Sequence, residues 1–242
     1  MKMAVLVYEY PPTIVGGLGT YAAEITRKVV LRDHDVSVFT MNDDTGSLPT
    51  RELWRGIEIH RPLHIDVSDS LPDVIAEDVR KWDWGGIHLF SKILVHNYLT
   101  ASKMVNELVR SEGYLFDIVI AHDWLSAMAG IAIKKELGLP FAFHVHSTEK
   151  GRTMGNGSEV VSNVELRAAQ TADLIVTVSN AMKEELIGLG FPAEKIQVVY
   201  NGVDPQKYNK EEVSAEKVRA VRQKYGLKDD DIMVLFLGRL VW

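Results

Sequence analysis

The chain contains no cysteine, which excludes disulfides, thiolate metal sites and a cysteine nucleophile. It has no apolar run long enough to span a bilayer as a helix. Positive charge is in the minority: 27 Lys and Arg stand against 33 Asp and Glu, a formal net charge of −6. A nucleic-acid partner is therefore not expected, and an anionic ligand has to be held locally, by backbone amides and a few cations. The first apolar stretch is interrupted by Glu9, Pro11 and Pro12, too early for the core of a signal peptide. A cytoplasmic protein is the expectation. What remains is ordinary globular composition, 46% hydrophobic and 25% charged over 242 residues. That suits one large α/β domain or one and a half smaller ones.

The organising stretch is residues 5–25, VLVYEYPPTIVGGLGTYAAEI. Residues 3–8 form an apolar run of the length of one buried strand. Pro11 and Pro12 end it, because proline cannot sit in a central strand. Gly16, Gly17 and Gly19 follow, and then Leu18, Ala22, Ile25 and Val29 recur at helical spacing. Strand, glycine turn and helix in this order bring backbone N–H groups to an anion at the positive end of the helix dipole. The same Gly-Gly-x-Gly also serves as a plain turn needing positive φ. Its spacing is not the GxGxxG dinucleotide fingerprint.

Farther on, strands are predicted at residues 35–40, 57–61, 117–121, 141–145, 174–178 and 196–200. Helices are predicted at 88–110, 125–137 (closed by Gly138), 160–171 and 181–189. Residues 62–86 lose periodicity and carry Trp82 and Trp84, which either stack on a sugar or pin the segment to the body. Strict alternation implies right-handed crossovers and an open parallel sheet with helices on both faces, a Rossmann-like α/β class. Residues 1–204 read as this domain. Residues 205–231 read as a charged linker with a helix near 213–225, and residues 232–242 as the first strand of a further α/β domain.

The unusual polar residues all fall just after strands: Gly16 and Gly17, then His122-Asp123-Trp124, His146, Ser179 and Asn201. In open parallel sheets ligands bind outside the carboxyl ends of the strands. Each residue also has a plainer role. Asp123 and Ser179 are plausible helix caps, Asn201-Gly202 a turn, and His144 a packed core histidine. His122, Asp123, His144 and His146 raise the question of a metal. A His-x-His pair serves one only on an open sheet face, and helices should cover both faces here. No metal site is expected.

Taken in order, EYPPxxxGGLG, the strand followed by HDW, the strand ending in HxH, VSxxM, the NGVD turn and FLGRL resemble the amino-terminal half of retaining glycosyltransferases of the GT-B fold. The glycogen and starch synthases and their neighbouring hexosyltransferases are the most similar in style. The resemblance covers nearly the whole chain. It implies one half of a GT-B architecture. It implies transfer of a hexosyl group from an ADP- or UDP-linked sugar to a carbohydrate or other hydroxyl acceptor, with no further cofactor. It sets Gly16, Gly17 and Arg239 against the donor phosphates, Asp123 and His146 against the transferred sugar, and Ser179 and Asn201 as possible contacts in the cleft. One position departs: glycogen synthases carry Lys two residues before the Gly pair, and this chain has Ile14.

The chemistry suits these residue types. Cleavage with retention develops positive charge on the sugar and negative charge on the departing diphosphate. Helix-start amides and an arginine stabilise the latter without a metal. The resemblance further implies that a Lys and a pair of Glu lie beyond Trp242, so the 242 residues alone are expected to fold without turning over. The alternatives are another GT-B enzyme, such as a phosphorylase or a sugar-nucleotide epimerase, and a non-catalytic sugar- or protein-binding module, since fold does not fix function.

Overall fold

A computed structural model describes residues 1–43, 45–71 and 77–238. The chain divides into two compact units, Met1–Asn201 and Gly202–Trp242. The first is built on one eight-stranded sheet in the order β3-β4-β2-β1-β5-β6-β7-β8. Its strands are β1 (Lys2–Leu6), β2 (Asp35–Phe39), β3 (Arg51–Trp54), β4 (Ile57–His60), β5 (Ile118–His122), β6 (Phe141–Val145), β7 (Leu174–Thr177) and β8 (Ile196–Val198). All neighbours pair in parallel except β3 with β4. The chain leaves β1 toward β2 and β4, then returns to lay β5 on the other side of β1. In open parallel sheets such a reversal is where ligands bind, beyond the carboxyl ends of the strands, here β1 and β5.

The antiparallel edge strand β3 is not among the predicted strands. It joins β4 through Arg55 (φ 52°) and Gly56 (φ 78°), a two-residue hairpin turn with both centres left-handed. Asn-Gly or Asp-Gly would have announced such a turn, and Arg-Gly does not.

The helices are α1 (Gly17–Val30), α2 (Glu77–Arg80), α3 (Trp84–Ser102), α4 (Asp123–Leu137), α5 (Glu149–Arg152), α6 (Glu159–Thr171) and α7 (Asn180–Gly188). Helix α3 begins four residues earlier than predicted because Asp83 caps it, accepting from the Gly86 amide. It then widens into π-helix over Lys103–Ser111. The inner face of α1 also differs from expectation. Ile25 is exposed, and Thr26 is buried instead. Its hydroxyl is satisfied by the Ala22 carbonyl and by Tyr10 Oη, both at 2.7 Å. Trp82 pins its segment to Phe90 edge-on, with ring centroids 5.6 Å apart, while Trp84 is exposed.

Packing fixes the layers. Leu6, Phe39, Val119, Phe141, Phe143 and Ile175 belong to the largest apolar cluster, with Ala127, Ile133 and Leu186 from the helices. Helix α4 lies close on β6 at Gly130, where a Cβ would meet the Phe141 ring at 2.6 Å. Gly130→Leu is expected to destabilise the fold by roughly 1–3 kcal/mol through overpacking. Chemical denaturation checks this, and an unchanged midpoint would show that the contact yields freely. Among the described residues no helix is long and apolar enough to cross a membrane.

In the second unit, helix α8 (Ala215–Lys224) is capped by Ser214, whose hydroxyl accepts from the Lys217 amide. The Arg222 guanidinium donates to the carbonyls of Lys228 and Asp231. Residues 232–237, expected as a strand, form no ladder among the described residues, and their apolar side chains are exposed. A strand is completed by a neighbour's amides and carbonyls, and none pairs with them here.

Candidate functional site

The site is built from the two loops at the chain reversal. The loop after β1 is held from below by Arg61, which is fully buried. It donates to the Pro11 carbonyl at 2.9 Å and to Glu52 at 2.6 Å. Glu9 ties off the approach to α1, its Oε2 accepting from the Val15 amide at 2.5 Å and the Gly16 amide at 2.8 Å. The next amides, of Gly17, Leu18 and Gly19, come before Thr20, the first to donate within the helix, to the Gly16 carbonyl at 3.4 Å, and are left without an intrahelical acceptor.

The glycines there are not conformational glycines. Gly16 is extended (φ −154°) and caps α1 without a side chain. At Gly19 a Cβ would press on Glu9 at 3.0 Å, so close packing accounts for that glycine. At Gly17 a Cβ would meet nothing within 4 Å. No contact of the protein with itself explains its missing side chain, and Gly17 is exposed.

The second loop follows β6, and the junction of β5 with α4 lies beside it. Asp123, 5% exposed, is not the cap of α4; His122 holds that position. The Asp123 backbone is left-handed (φ 53°), a strained conformation for a residue other than glycine. Its carboxylate instead reaches across to β6, with Oδ1 accepting from the His146 amide at 2.7 Å and the Ser147 amide at 3.4 Å. Burial raises its pKa to about 6, against the lowering effect of those amides.

His122 and His144 are register partners on adjacent strands, so their rings share a sheet face, and His146 follows on the same face two residues later. His122 Nδ1 lies 3.1 Å from His146 Nε2, and the rings of His144 and His146 stack with centroids 4.1 Å apart. Helix α1 does cover this face, as expected, but it does so with Tyr21. That ring lies edge-on to all three histidines, 5.8, 5.2 and 4.7 Å from His122, His144 and His146. Covering the face therefore does not disperse the histidines. It leaves two buried and His146 half-buried at the rim. Desolvation lowers all three pKa values, to about 3 for His144 and about 4 for His146, so the imidazoles are neutral at pH 7.

A further buried carboxylate supports the loop. Glu165, 2% exposed on α6, accepts from the Glu149 amide at 2.9 Å, and burial raises its pKa to about 7. Arg152 stands 3.6 Å from it and donates to Ser147. Thr148 donates to Glu185 at 2.5 Å and accepts from the Gly151 amide, capping the short helix α5 between β6 and α6.

Gly16, Gly17, Asp123 and His146 thus meet at one edge of the sheet. Ser179 follows β7 on that edge and caps α7, its hydroxyl accepting from the Met182 amide at 3.1 Å. Asn201 is exposed at the end of the first unit. Arg239 lies outside the described residues. Tyr21 and Glu165 escape a reading by motif. The trace of Glu165 is a carboxylate in line with Val161, Ala168 and Ala169 on the buried stripe of α6.

Residues 15–207 match the family model described as Glycosyltransferase Family 4, and the chain belongs to that family. It is 29% identical to an uncharacterized glycosyltransferase, MJ1607, of Methanocaldococcus jannaschii, across all of this chain and 56% of that protein. It is 26% identical to a glycogen synthase of Mycobacterium tuberculosis, over 86% of this chain and 50% of the relative. The chain therefore spans about half the length of these relatives. Among solved structures, the catalytic domain of starch synthase IV from Arabidopsis thaliana, bound to ADP and acarbose, superposes with a TM-score of 0.61 at 15% identity. It covers 96% of this chain and 60% of that one. That likeness extends the GT-B assignment to the fold.

Proposed function

We propose that this chain forms the acceptor-side half of a retaining hexosyltransferase that takes its sugar from an ADP- or UDP-linked donor and works in the cytoplasm. One observation carries the reading. Tyr21, one turn (roughly 6 Å) along α1 from the exposed Gly17, packs on His146, and His146 is bonded through its amide to Asp123. The helix end that suits a phosphate and the strand end that suits a sugar are thereby parts of one site.

In this reading the first-turn amides of α1 receive the departing diphosphate, assisted by Arg239. Gly17, exposed and with open space where a side chain would stand, suits close approach of a phosphate. The His146 carbonyl and ring face the sugar as it gains positive charge. Asp123 fixes the course of the chain at His146 and Ser147 and orients a sugar hydroxyl. The neutral state of His146 matters, since an imidazolium would oppose the developing cation. Support for a hydroxyl acceptor comes from the family. Support for a reading wider than glycogen synthesis comes from Ile14, which is 42% exposed at the mouth of the glycine turn and carries no charge.

The test is calorimetric titration of the 242-residue chain with ADP-glucose and UDP-glucose. Binding on the order of millimolar, about 4 kcal/mol, is expected from amides in an open half-cleft, together with no product. Micromolar affinity or turnover would mean that this half holds the donor by itself. An active form of the protein is expected to retain full rate in excess chelator. Activity abolished by chelator and restored by added metal would overturn the amide-and-arginine account of the leaving group.

A further inference from the structure

The three histidines at the ends of β5 and β6 form a constellation that sugar transfer does not require in full. One ring nitrogen from each of His122, His144 and His146 lies within 4.8 Å of the other two. His122 Nδ1 and His146 Nε2 are already 3.1 Å apart. His144 Nε2 is buried and has no hydrogen-bond partner, a costly state for a polar atom in the interior. Ligand nitrogens about a tetrahedral zinc at roughly 2.0–2.1 Å stand about 3.4 Å from one another. The present cluster is therefore near the required spacing but not at it. The stacked pair, tilted by 22°, has to open so that both lone pairs meet one ion. His146 is the ring with room to turn, being half-buried while the other two are buried.

We propose that His122, His144 and His146 form a three-imidazole site for a borderline transition-metal ion such as Zn²⁺, with the fourth position open toward the cleft. Nitrogen ligands alone select zinc, cobalt, nickel or copper over magnesium and calcium, which demand oxygen. The ion takes up the orphaned nitrogen of His144 and replaces the hydrogen shared by His122 and His146. The buried carboxylate of Asp123, held against the His146 amide, offsets part of its charge. Tyr21 lies edge-on to all three rings and screens the site on the side of α1. The ion is not a cofactor of the transfer reaction: on His146 it would set positive charge beside the sugar and oppose transfer, and its binding does not rest on the glycosyltransferase reading.

Co²⁺ is the probe, titrated into the purified chain and read by visible absorption. One equivalent is expected to give the intense bands of a four-coordinate ion, bleached by one equivalent of Zn²⁺. His144→Ala and His146→Ala should each weaken binding by more than the roughly 10- to 100-fold that loss of an outer partner costs. His34→Ala should leave it unchanged. Zn²⁺ should raise the thermal midpoint of the wild-type chain and of His34→Ala, but not that of His146→Ala, whose ring is at the rim and whose fold is expected to survive. A pale six-coordinate spectrum, or binding that persists in His146→Ala, would overturn the site.

Discussion

Replacing His146 by alanine in an active form of the protein is expected to lower turnover by roughly 100-fold or more, while the thermal midpoint moves little. The backbone amide that Asp123 accepts from is retained in the alanine variant, so the end of β6 stays in place. What is lost is a half-buried ring stacked on His144, touched by Tyr21 and bonded to His122 Nδ1, together worth roughly 1–3 kcal/mol, a small shift in a fold of this size. Asp123→Ala should be worse on both counts. It removes the acceptor for two amides, and it puts alanine at φ 53°, where an L-residue costs roughly 1–2 kcal/mol. Asp123→Asn tolerates that backbone and keeps one acceptor oxygen, so its fold should be close to wild type. Steady-state kinetics beside thermal melts separate the cases. A His146→Ala variant that loses stability and activity in proportion would make His146 a structural residue.

The second large effect is acid sensitivity. His60, His96, His122, His144 and His146 all have pKa values lowered by burial, to about 4 for His60 and about 3 for His96. The unfolded chain takes up these protons near pH 6.5, and the folded chain does not. Their stabilising contribution is therefore complete above pH 6.5 and is lost as pH falls toward the folded values. Each costs roughly 1.4 kcal/mol per pH unit in that window. Asp123 and Glu165 act oppositely, since their folded pKa values are raised to about 6 and about 7. They bind protons first in the folded state and favour it as pH drops. The histidines outnumber them, leaving a net loss of roughly 4 kcal/mol per pH unit below pH 6. For a stability in the lower part of the ordinary range, roughly 5–8 kcal/mol, unfolding is expected around pH 4–5. Thermal melts from pH 7.5 to pH 5 measure it directly. A midpoint unchanged across that range would show that the histidines are not held neutral.

The alternation of strands and helices was legible because each parallel strand, buried on both sides, is a short apolar run, and each helix repeats at its own period. The site residues were legible one at a time by their position after strands. What was not legible is their convergence. That His144 sits beside His122 is a matter of register between β5 and β6. That Tyr21 closes over both depends on how α1 lies across the sheet. Neither is written in a local pattern. Asp123 looked like a cap, and only its left-handed backbone and its bond to the next strand reveal otherwise. The π-helical turn at Lys103–Ser111 likewise left no mark in a sequence that reads as ordinary helix.

The two borders of the sheet bear on how copies of this chain treat one another. One border is β3, where Arg51 is engaged by Glu58 and Glu112, and the other is β8, only three residues long. Charge and brevity make both poor templates for an incoming strand. The vulnerable place is elsewhere. Residues 232–237, IMVLFL, are uncharged, free of proline and glycine, exposed, and unpaired among the described residues. Such a hexapeptide can stack in register with its own copies into cross-β ladders. A preparation of these 242 residues alone is expected to self-associate through that segment at high concentration while the sheet, with its guarded borders, stays intact.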